Sequence, residues 1–267
     1  MSNYIIMVHL NNWEMTEAAI KDALAQDIGD VKVLAIAQGY VDSTRLAAEA
    51  WARVDPRLLN LWFDPPLLSL SACWNLGLKL AWDSGATFAM VCNNDIRLKP
   101  DTYKQLSLEL KLQEALFVSG VGVTLEQFSG AAPVQNDSKG GPDFSCFVIS
   151  KDCHERYPFD PNFIPCYCED LDLHRRIMLA GEGDRIFSVD VPYCHIDRGS
   201  GTLKSMSPEK RAATEQMIAN GSRAYYQAKW GGGVNEEKWL KPFDPESTAA
   251  TTSTRDLFNQ VREGWRK

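Results

Sequence analysis

Three groups of residues have types and spacings that can do chemistry. Asn93-Asn94-Asp95 ends the almost wholly apolar run 87–92. A carboxylate fixed there can hold a hard divalent cation, which can bridge the two phosphates of a nucleoside diphosphate. The same triplet also suits a plain turn, since Asn and Asp favour turns. Cys168-Glu169-Asp170-Leu171-Asp172 opens an amphipathic stretch, with Tyr167 and Phe159-Asp160-Pro161-Asn162-Phe163 before it. Acids at a helix start are stabilised by the macrodipole, by about 0.3–1 kcal/mol each. A carboxylate held ionised there also suits a general base that removes a proton from a hydroxyl. His195 follows a strand-like run and precedes Arg198-Gly199-Ser200-Gly201, where it can meet Asp95. His9, His154 and His174 have no comparable setting.

These residues need a scaffold that brings distant segments to one edge. Residues 4–10, 31–37, 58–63 and 87–92 read as buried strands. Helical patterns separate them: one from about residue 16, one at 46–54 after Asp42-Ser43-Thr44, and one at 69–84 closed by Gly85. Strand–helix alternation with continuously apolar strands predicts an α/β protein whose mostly parallel central sheet is covered by helices on both faces. In such sheets ligands sit beyond the carboxyl ends of the strands. That draws attention to Asn11-Asn12, Gln38-Gly39, Asp64 and Asn93-Asn94-Asp95, all polar.

Further on, 116–123, 144–150 and 186–191 read as strands and 169–179 as a helix followed by Gly181. A long Gly- and Pro-containing loop joins the first two of these strands, a kind of connection that is usually functional. A Ser/Thr/Ala-rich stretch, 247–253, reads as a linker to a last helix bearing Leu257, Phe258, Val261 and Trp265.

Composition narrows the classes. With 267 residues, 45% hydrophobic and 24% charged, the chain has material for a sizeable core. No run approaches the ~20 apolar residues of a membrane span, and the start lacks a signal-like segment. Seven cysteines, including Cys166 and Cys168, fit a reduced compartment better than a disulfide framework. The expectation is a soluble, cytoplasmic protein without a membrane span. The net charge of −7 argues against a surface that grips nucleic acid throughout. Residues 196–241, however, carry eight Lys and Arg against five Asp and Glu, as a solvated face or an anion-facing segment would.

The ordered set resembles glycosyltransferase family 2, with the GT-A fold: an apolar strand ending in Asn-Asn-Asp, a Phe-rich strand, Phe-Asp-x-x-Phe, Glu-Asp-x-Asp-Leu with a following Arg, and a strand-terminal His. Trp74-Asn75-Leu76-Gly77 is similar to the family's Asn-x-Gly helix, and Gly77, costing about 1 kcal/mol against Ala in a helix, implies a close approach of backbone or ligand. The resemblance covers residues 4–205 and implies a GT-A domain over 1–205 with a C-terminal helical extension over 206–267. It implies an inverting hexosyl- or pentosyltransferase that uses a nucleotide-sugar donor and Mn²⁺ or Mg²⁺. Asp170 matches the catalytic base and Glu169 its neighbour. Asp95 and His195 match metal contacts. Asn11, Gln38, Asn75, Asn93 and Arg198 fall on the donor side, with Arg198 and Lys204 able to close over the phosphates.

Two departures stand out. Ala37-Gln38 replaces the family's usual Asp pair, which puts a uridine donor in doubt, and Asn93 removes one metal-motif charge. The segment Tyr225-Tyr226-Gln227-Ala228-Lys229-Trp230-Gly231-Gly232 resembles bacteriophage members, some of which glycosylate hydroxymethylated pyrimidines in DNA. That similarity would place the protein in the host cytoplasm and make Tyr225, Tyr226 and Trp230 a face for a phosphodiester acceptor; alternatively they pack the last helices onto the sheet. A glycan or lipid-linked saccharide acceptor, or a non-catalytic sugar-nucleotide-binding domain, are the other readings. A nucleotidyltransferase lacks its Gly-rich loop here, no Walker A or G-x-G-x-x-G is present, and a zinc site lacks a C-x-x-C pair.

Overall fold

Continuous apolar stretches form the strands of one eight-stranded sheet. The computed structural model describes residues 2–39, 43–65, 67, 69–132, 142–195, 201–204, 206–248 and 253–265. In chain order the elements are β1 (Asn3–His9), α1 (Trp13–Leu24), β2 (Val31–Ala37), α2 (Ser43–Ala52), β3 (Leu58–Leu61), α3 (Leu70–Asp83), β4 (Phe88–Asn93), β5 (Ile96–Arg97), α4 (Thr102–Leu112) and β6 (Phe117–Val123). They continue with α5 (Leu125–Phe128), β7 (Cys146–Ser150), α6 (Lys151–Arg156), α7 (Glu169–Leu179), β8 (Ile186–His195), α8 (Gly201–Lys204), α9 (Pro208–Ile218), a π-helical turn (Ala219–Arg223), α10 (Ala224–Trp230) and α11 (Thr254–Trp265).

The strand order is β3-β2-β1-β4-β7-β6-β8-β5. The β3-β2-β1-β4 half is parallel, and β6 and β8 are also parallel. β7 runs antiparallel to both β4 and β6, and β5 antiparallel to β8. Successive residues of β1 face opposite sides: Ile6 and Val8 pack with Trp74, Leu78, Phe147, Leu173 and Phe258, whereas Ile5 and Met7 pack with Ile20, Tyr103, Leu106 and Val148. The sheet is thus covered on both faces, as continuously apolar strands require.

Helix ends follow local chemistry. Ser69 and Ser150 accept the backbone N–H of Ala72 and Cys153 at 3.1 and 3.0 Å, and Gly85 and Gly181 follow α3 and α7 with φ of +89° and +79°. Gly77 is explained by close packing. A Cβ there would lie 2.6 Å from Ile6 Cγ2, so α3 sits directly on β1. The close approach is made by the sheet.

The structure departs from the sequence reading in the second half. β8 continues past Val191 to His195, and β5, α4, α5, α6 and α8 carried no sequence expectation, whereas α9 and α10 fall in the expected helical extension. Residues 249–252 of the expected linker and 133–141 of the long loop lie outside the described residues. No helix among the described residues is long and apolar enough to cross a membrane.

Candidate active site

The carboxyl ends of β1, β2 and β4 open into a cavity of about 470 Å³. Its walls include His9, Gln38, Asn93, Asn94 and Asp95 from the sheet, Asp143 to Ser145 ahead of β7, Pro165 to Tyr167, Glu169, Asp170, His195, and Leu203, Met206 and Thr214 from the C-terminal segment.

The sheet brings Asp95 and His195 together. Ile96 pairs with His195 in the antiparallel β5–β8 ladder, so the residue before β5 lies beside the last residue of β8. His195 Nε2 stands 3.1 Å from Asp95 Oδ1, and Asp95 is only 5% exposed. The neighbouring Asn94, also on the cavity wall, donates to Thr16 Oγ1 at 2.8 Å, tying the turn to α1.

A second part of the wall is the first turn of α7, with Glu169 and Asp170. Glu169 is 4% exposed, and among the described residues its Oε2 has no hydrogen-bond partner. Burial, then the charge of Asp170, pushes the Glu169 carboxyl well above the ordinary range. Burial also raises Asp170; the N–H of Leu171, 2.8 Å from Asp170 Oδ1, pulls it back, and the charge of Asp143 raises it further. Burial therefore outweighs the helix-terminus effect expected to keep these acids at ordinary values. Burial raises both carboxyls, and the Leu171 N–H favours the ionised form of Asp170. The third acid, Asp172, is wholly buried and absent from the cavity wall.

The remaining candidates divide. Gln38 lines the cavity, with Nε2 3.4 Å from the Pro165 carbonyl, and Asn93 lines it too. Asn75 does not. Its Oδ1 accepts from the Phe159 N–H at 3.0 Å and pairs with His154 Nε2 at 2.9 Å, while its Nδ2 donates to the Phe159 carbonyl at 2.7 Å. The side chain is spent on fixing the loop that leads to α7, which leaves it nothing for a donor. Asn11 is exposed in a left-handed conformation, φ +56°, outside the cavity wall. Arg198 lies outside the described residues, and Lys204 is exposed on α8.

Sequence reasoning missed two residues. His9, set aside there, is the last residue of β1; it is 1% exposed and lines the cavity. Asp143 reaches the site because β7 runs antiparallel to β4, so its start is level with β4's end: Asn93 N–H donates to the Ser145 carbonyl at 2.9 Å. A carboxylate just before a strand is a signal only once that strand's direction is known.

The aromatic C-terminal segment offers no face to an acceptor. Tyr226 and Trp230 are each 1% exposed and pack with Phe163 and Cys168. Lys229 is buried in ion pairs with Asp160 and Asp172 at 2.6 and 2.8 Å. Of the two readings of this segment, packing holds for Tyr226 and Trp230, which form no phosphodiester-binding surface, while Tyr225 is half-buried. The cysteines are free, and burial pushes the Cys73, Cys92, Cys153 and Cys168 thiols up to about 12, whereas zinc takes thiolates. Among the described residues no three of His, Cys, Asp and Glu converge as a ready-made metal cluster.

No protein-family model and no curated protein sequence matches this chain. Solved structures do. Residues 1–349 of Staphylococcus aureus TarS in complex with UDP-GlcNAc have a TM-score of 0.58 at 14% identity, covering 82% of this chain and 66% of that one. A mannosyltransferase from Pyrobaculum calidifontis in complex with GDP-Man and Mn²⁺ has a TM-score of 0.53 at 14% identity over 75% of this chain. This chain spans 58% of that enzyme's length. Glucosyl-3-phosphoglycerate synthase from Mycobacterium tuberculosis, in complex with Mn²⁺, UDP and its product, has a TM-score of 0.53 at 15% identity, covering 82% and 80%. The fold is of the GT-A type that these glycosyltransferases share.

Proposed function

We propose that this protein is an inverting glycosyltransferase that moves a sugar from a nucleotide-sugar donor to an acceptor hydroxyl. The observation that carries the reading is one cavity, at the carboxyl edge of a GT-A sheet, holding Asp95 and His195 on one part of its wall and Glu169 and Asp170 on another. The similar structures hold GDP-Man, UDP-GlcNAc or UDP, two of them with Mn²⁺, which supports the donor class.

In this reading Asp170 takes the proton of the acceptor hydroxyl. The freed oxygen forms a bond to the anomeric carbon as the bond to the diphosphate oxygen breaks, with inversion because one displacement occurs. Glu169 lies beside Asp170 in the same turn, and burial raises both carboxyls. His9, Gln38 and Asn93 lie at the ends of β1, β2 and β4 and face the nucleoside diphosphate. Gln38 offers both a donor and an acceptor where a carboxylate would offer only acceptors, so the base need not be uracil.

Asp95 and His195 fit a divalent cation. Both Mg²⁺ and Mn²⁺ take carboxylate oxygens such as those of Asp95, Mn²⁺ is the better match to an imidazole, and Mg²⁺ usually keeps waters and substrate phosphates beside one or two carboxylates. Two protein donors are therefore sufficient. When bound, such a cation neutralises charge on the departing diphosphate.

The acceptor we favour is a saccharide or other neutral polyol. Tyr226 and Trp230, two of the residues assigned to a DNA backbone, are packed inside, and Asp143, Glu169 and Asp170 put acidic side chains on the cavity wall, which suits a polyanion poorly. The test is a panel of UDP- and GDP-sugars with Mn²⁺ or Mg²⁺, followed by oligosaccharides and hydroxymethylated DNA as acceptors at low and high salt. Donor turnover, and its loss in Asp170→Asn, is expected. Full transfer by Asp170→Asn would sink the assignment of the base, and salt-sensitive transfer to DNA would sink the acceptor class.

A further inference from the structure

The segment Tyr225-Tyr226-Gln227-Ala228-Lys229-Trp230 lies outside the cavity wall. Its contacts lead to α7. Asp172 Oδ1 accepts Trp230 Nε1–H at 2.9 Å and Lys229 Nζ at 2.8 Å, while Oδ2 takes Arg176 Nε at 2.8 Å. Lys229 Nζ also reaches Asp160 Oδ2 at 2.6 Å, which takes the Tyr225 hydroxyl at 2.9 Å. Asp160 belongs to the loop that leads into α7. One turn along, Arg175 stacks on the Trp230 ring at 4.7 Å and donates to the Trp239 carbonyl at 2.7 Å.

The first turn of α7 has no conventional anchor. Its N-cap, Cys168, is left-handed at φ +70° and makes no side-chain cap hydrogen bond, and Tyr167 before it is left-handed at φ +75°. Helices usually fix that turn with a Ser, Thr, Asp or Asn cap. Here the fixing comes from behind, through Asp172. The loop is held from the same side: a Cβ on Gly221, in the π-helical turn, would lie 2.3 Å from the Ile164 carbonyl, so the two backbones are in direct contact.

Resting on the reading of Asp170 as base, we propose that Lys229 and Trp230 are positioning residues: through Asp172 they clamp the first turn of α7 and so hold Asp170 at the angle transfer requires. The division of the three acids follows. Glu169 and Asp170 face the cavity, and Asp172 faces the clamp.

The test uses the full chain and the variant Trp230→Phe, which removes one N–H while keeping a ring for Arg175 and Lys229. Lys229→Arg, which retains the charge, serves as the conservative control; Lys229→Met strands two buried carboxylates and can simply fail to fold. Hydrogen exchange of amides 168–173 in Trp230→Phe is expected to speed up about tenfold, with β1 to β4 unchanged. In transfer assays kcat should fall about tenfold to a hundredfold with the donor KM unchanged, and Lys229→Arg should fall less. Unchanged exchange at 168–173, acceleration spread evenly over the chain, or local loosening with full kcat would each overturn the clamp. The exchange arm needs no donor, so it decides the clamp even where no transfer is seen. Full activity in Asp170→Asn strikes the base assignment instead.

Discussion

The two parts of the cavity wall are held by different means. On the sheet side, Asp95 and His195 meet because of the backbone ladder between β5 and β8. On the helix side, Glu169 and Asp170 face the cavity from a turn fixed by side chains: Asp172 with Lys229, Trp230 and Arg176, and Asn75 with Phe159. A ladder tolerates most changes of side chain. A clamp of buried charges does not, because removing one partner leaves another buried and uncompensated. The sheet wall should therefore withstand distant substitutions that the helix wall cannot.

The largest expected effects remove a group from either wall directly. Asp170→Asn should lower kcat by about 10²–10⁴-fold, the usual contribution of a general base, with donor affinity retained in equilibrium binding. Asp95→Asn, or a chelator, should weaken donor binding as well, and added Mn²⁺ should restore only the chelated protein. If both variants lose donor affinity equally, the assignment of different tasks to the two walls is broken.

Acid should loosen the helix wall first. His154 accepts from Trp82 Nε1 at 3.0 Å and touches Asn75, while His174 sits on α7 against Phe258. Burial depresses both from 6.5 to about 4. Between those values the unfolded chain binds more protons than the folded one. Their stabilising contribution is complete above about pH 6.5 and is lost as pH falls toward 4, at most about 3 kcal/mol for each at roughly 1.4 kcal/mol per unit. Glu169 works the other way, since its raised carboxyl favours folding as it takes up a proton. Urea unfolding at pH 7 and pH 4.5 should show a net loss for the wild type, larger in Glu169→Gln and smaller in His174→Phe.

A smaller effect separates packing from propensity on α3, which underlies both walls. Gly77→Ala gains about 1 kcal/mol in helix propensity, yet its Cβ would meet Ile6 Cγ2 at 2.6 Å and Cγ1 at 2.9 Å. Overpacking of this kind costs about 1–3 kcal/mol, so a lower melting temperature is expected. A rise would mean that β1 and α3 separate easily.

How much was legible in the sequence follows the same division. Periodicity located β2 and α7 with the observed ends and placed α3 between its caps Ser69 and Ser84, because apolar alternation and capping are local. Asp95, Glu169, Asp170 and His195 could be singled out because they stand at element ends. Asp143 could not, since its position depends on the antiparallel course of β7, which is a pairing between segments far apart in the chain. Asn75 was misleading because an amide on a helix face looks the same whether it meets a ligand or the backbone of Phe159. Tyr226, Lys229 and Trp230 were ambiguous for a related reason: aromatic and basic residues in one segment suit a nucleic-acid face and a buried cation–aromatic cluster equally well, and only the positions of Asp160 and Asp172 decide between them.

The smallest predicted effect belongs to Asp143, a lining residue whose charge acts on Asp170. Asp170 is raised chiefly by burial, held back by the Leu171 N–H, and raised further by the charge of Asp143. Asp143→Asn keeps an oxygen for the Ser145 N–H, 2.7 Å from Oδ1, so the loop should stay in place while the charge is lost. A base must be ionised to work, so activity climbs with pH through the Asp170 pKa. Removing Asp143's charge lowers that pKa, and the acid limb of kcat should therefore move to lower pH with its plateau little changed. A limb that moves upward, or stays put while the plateau collapses, would show that Asp143 acts on the sugar or the acceptor directly rather than through Asp170.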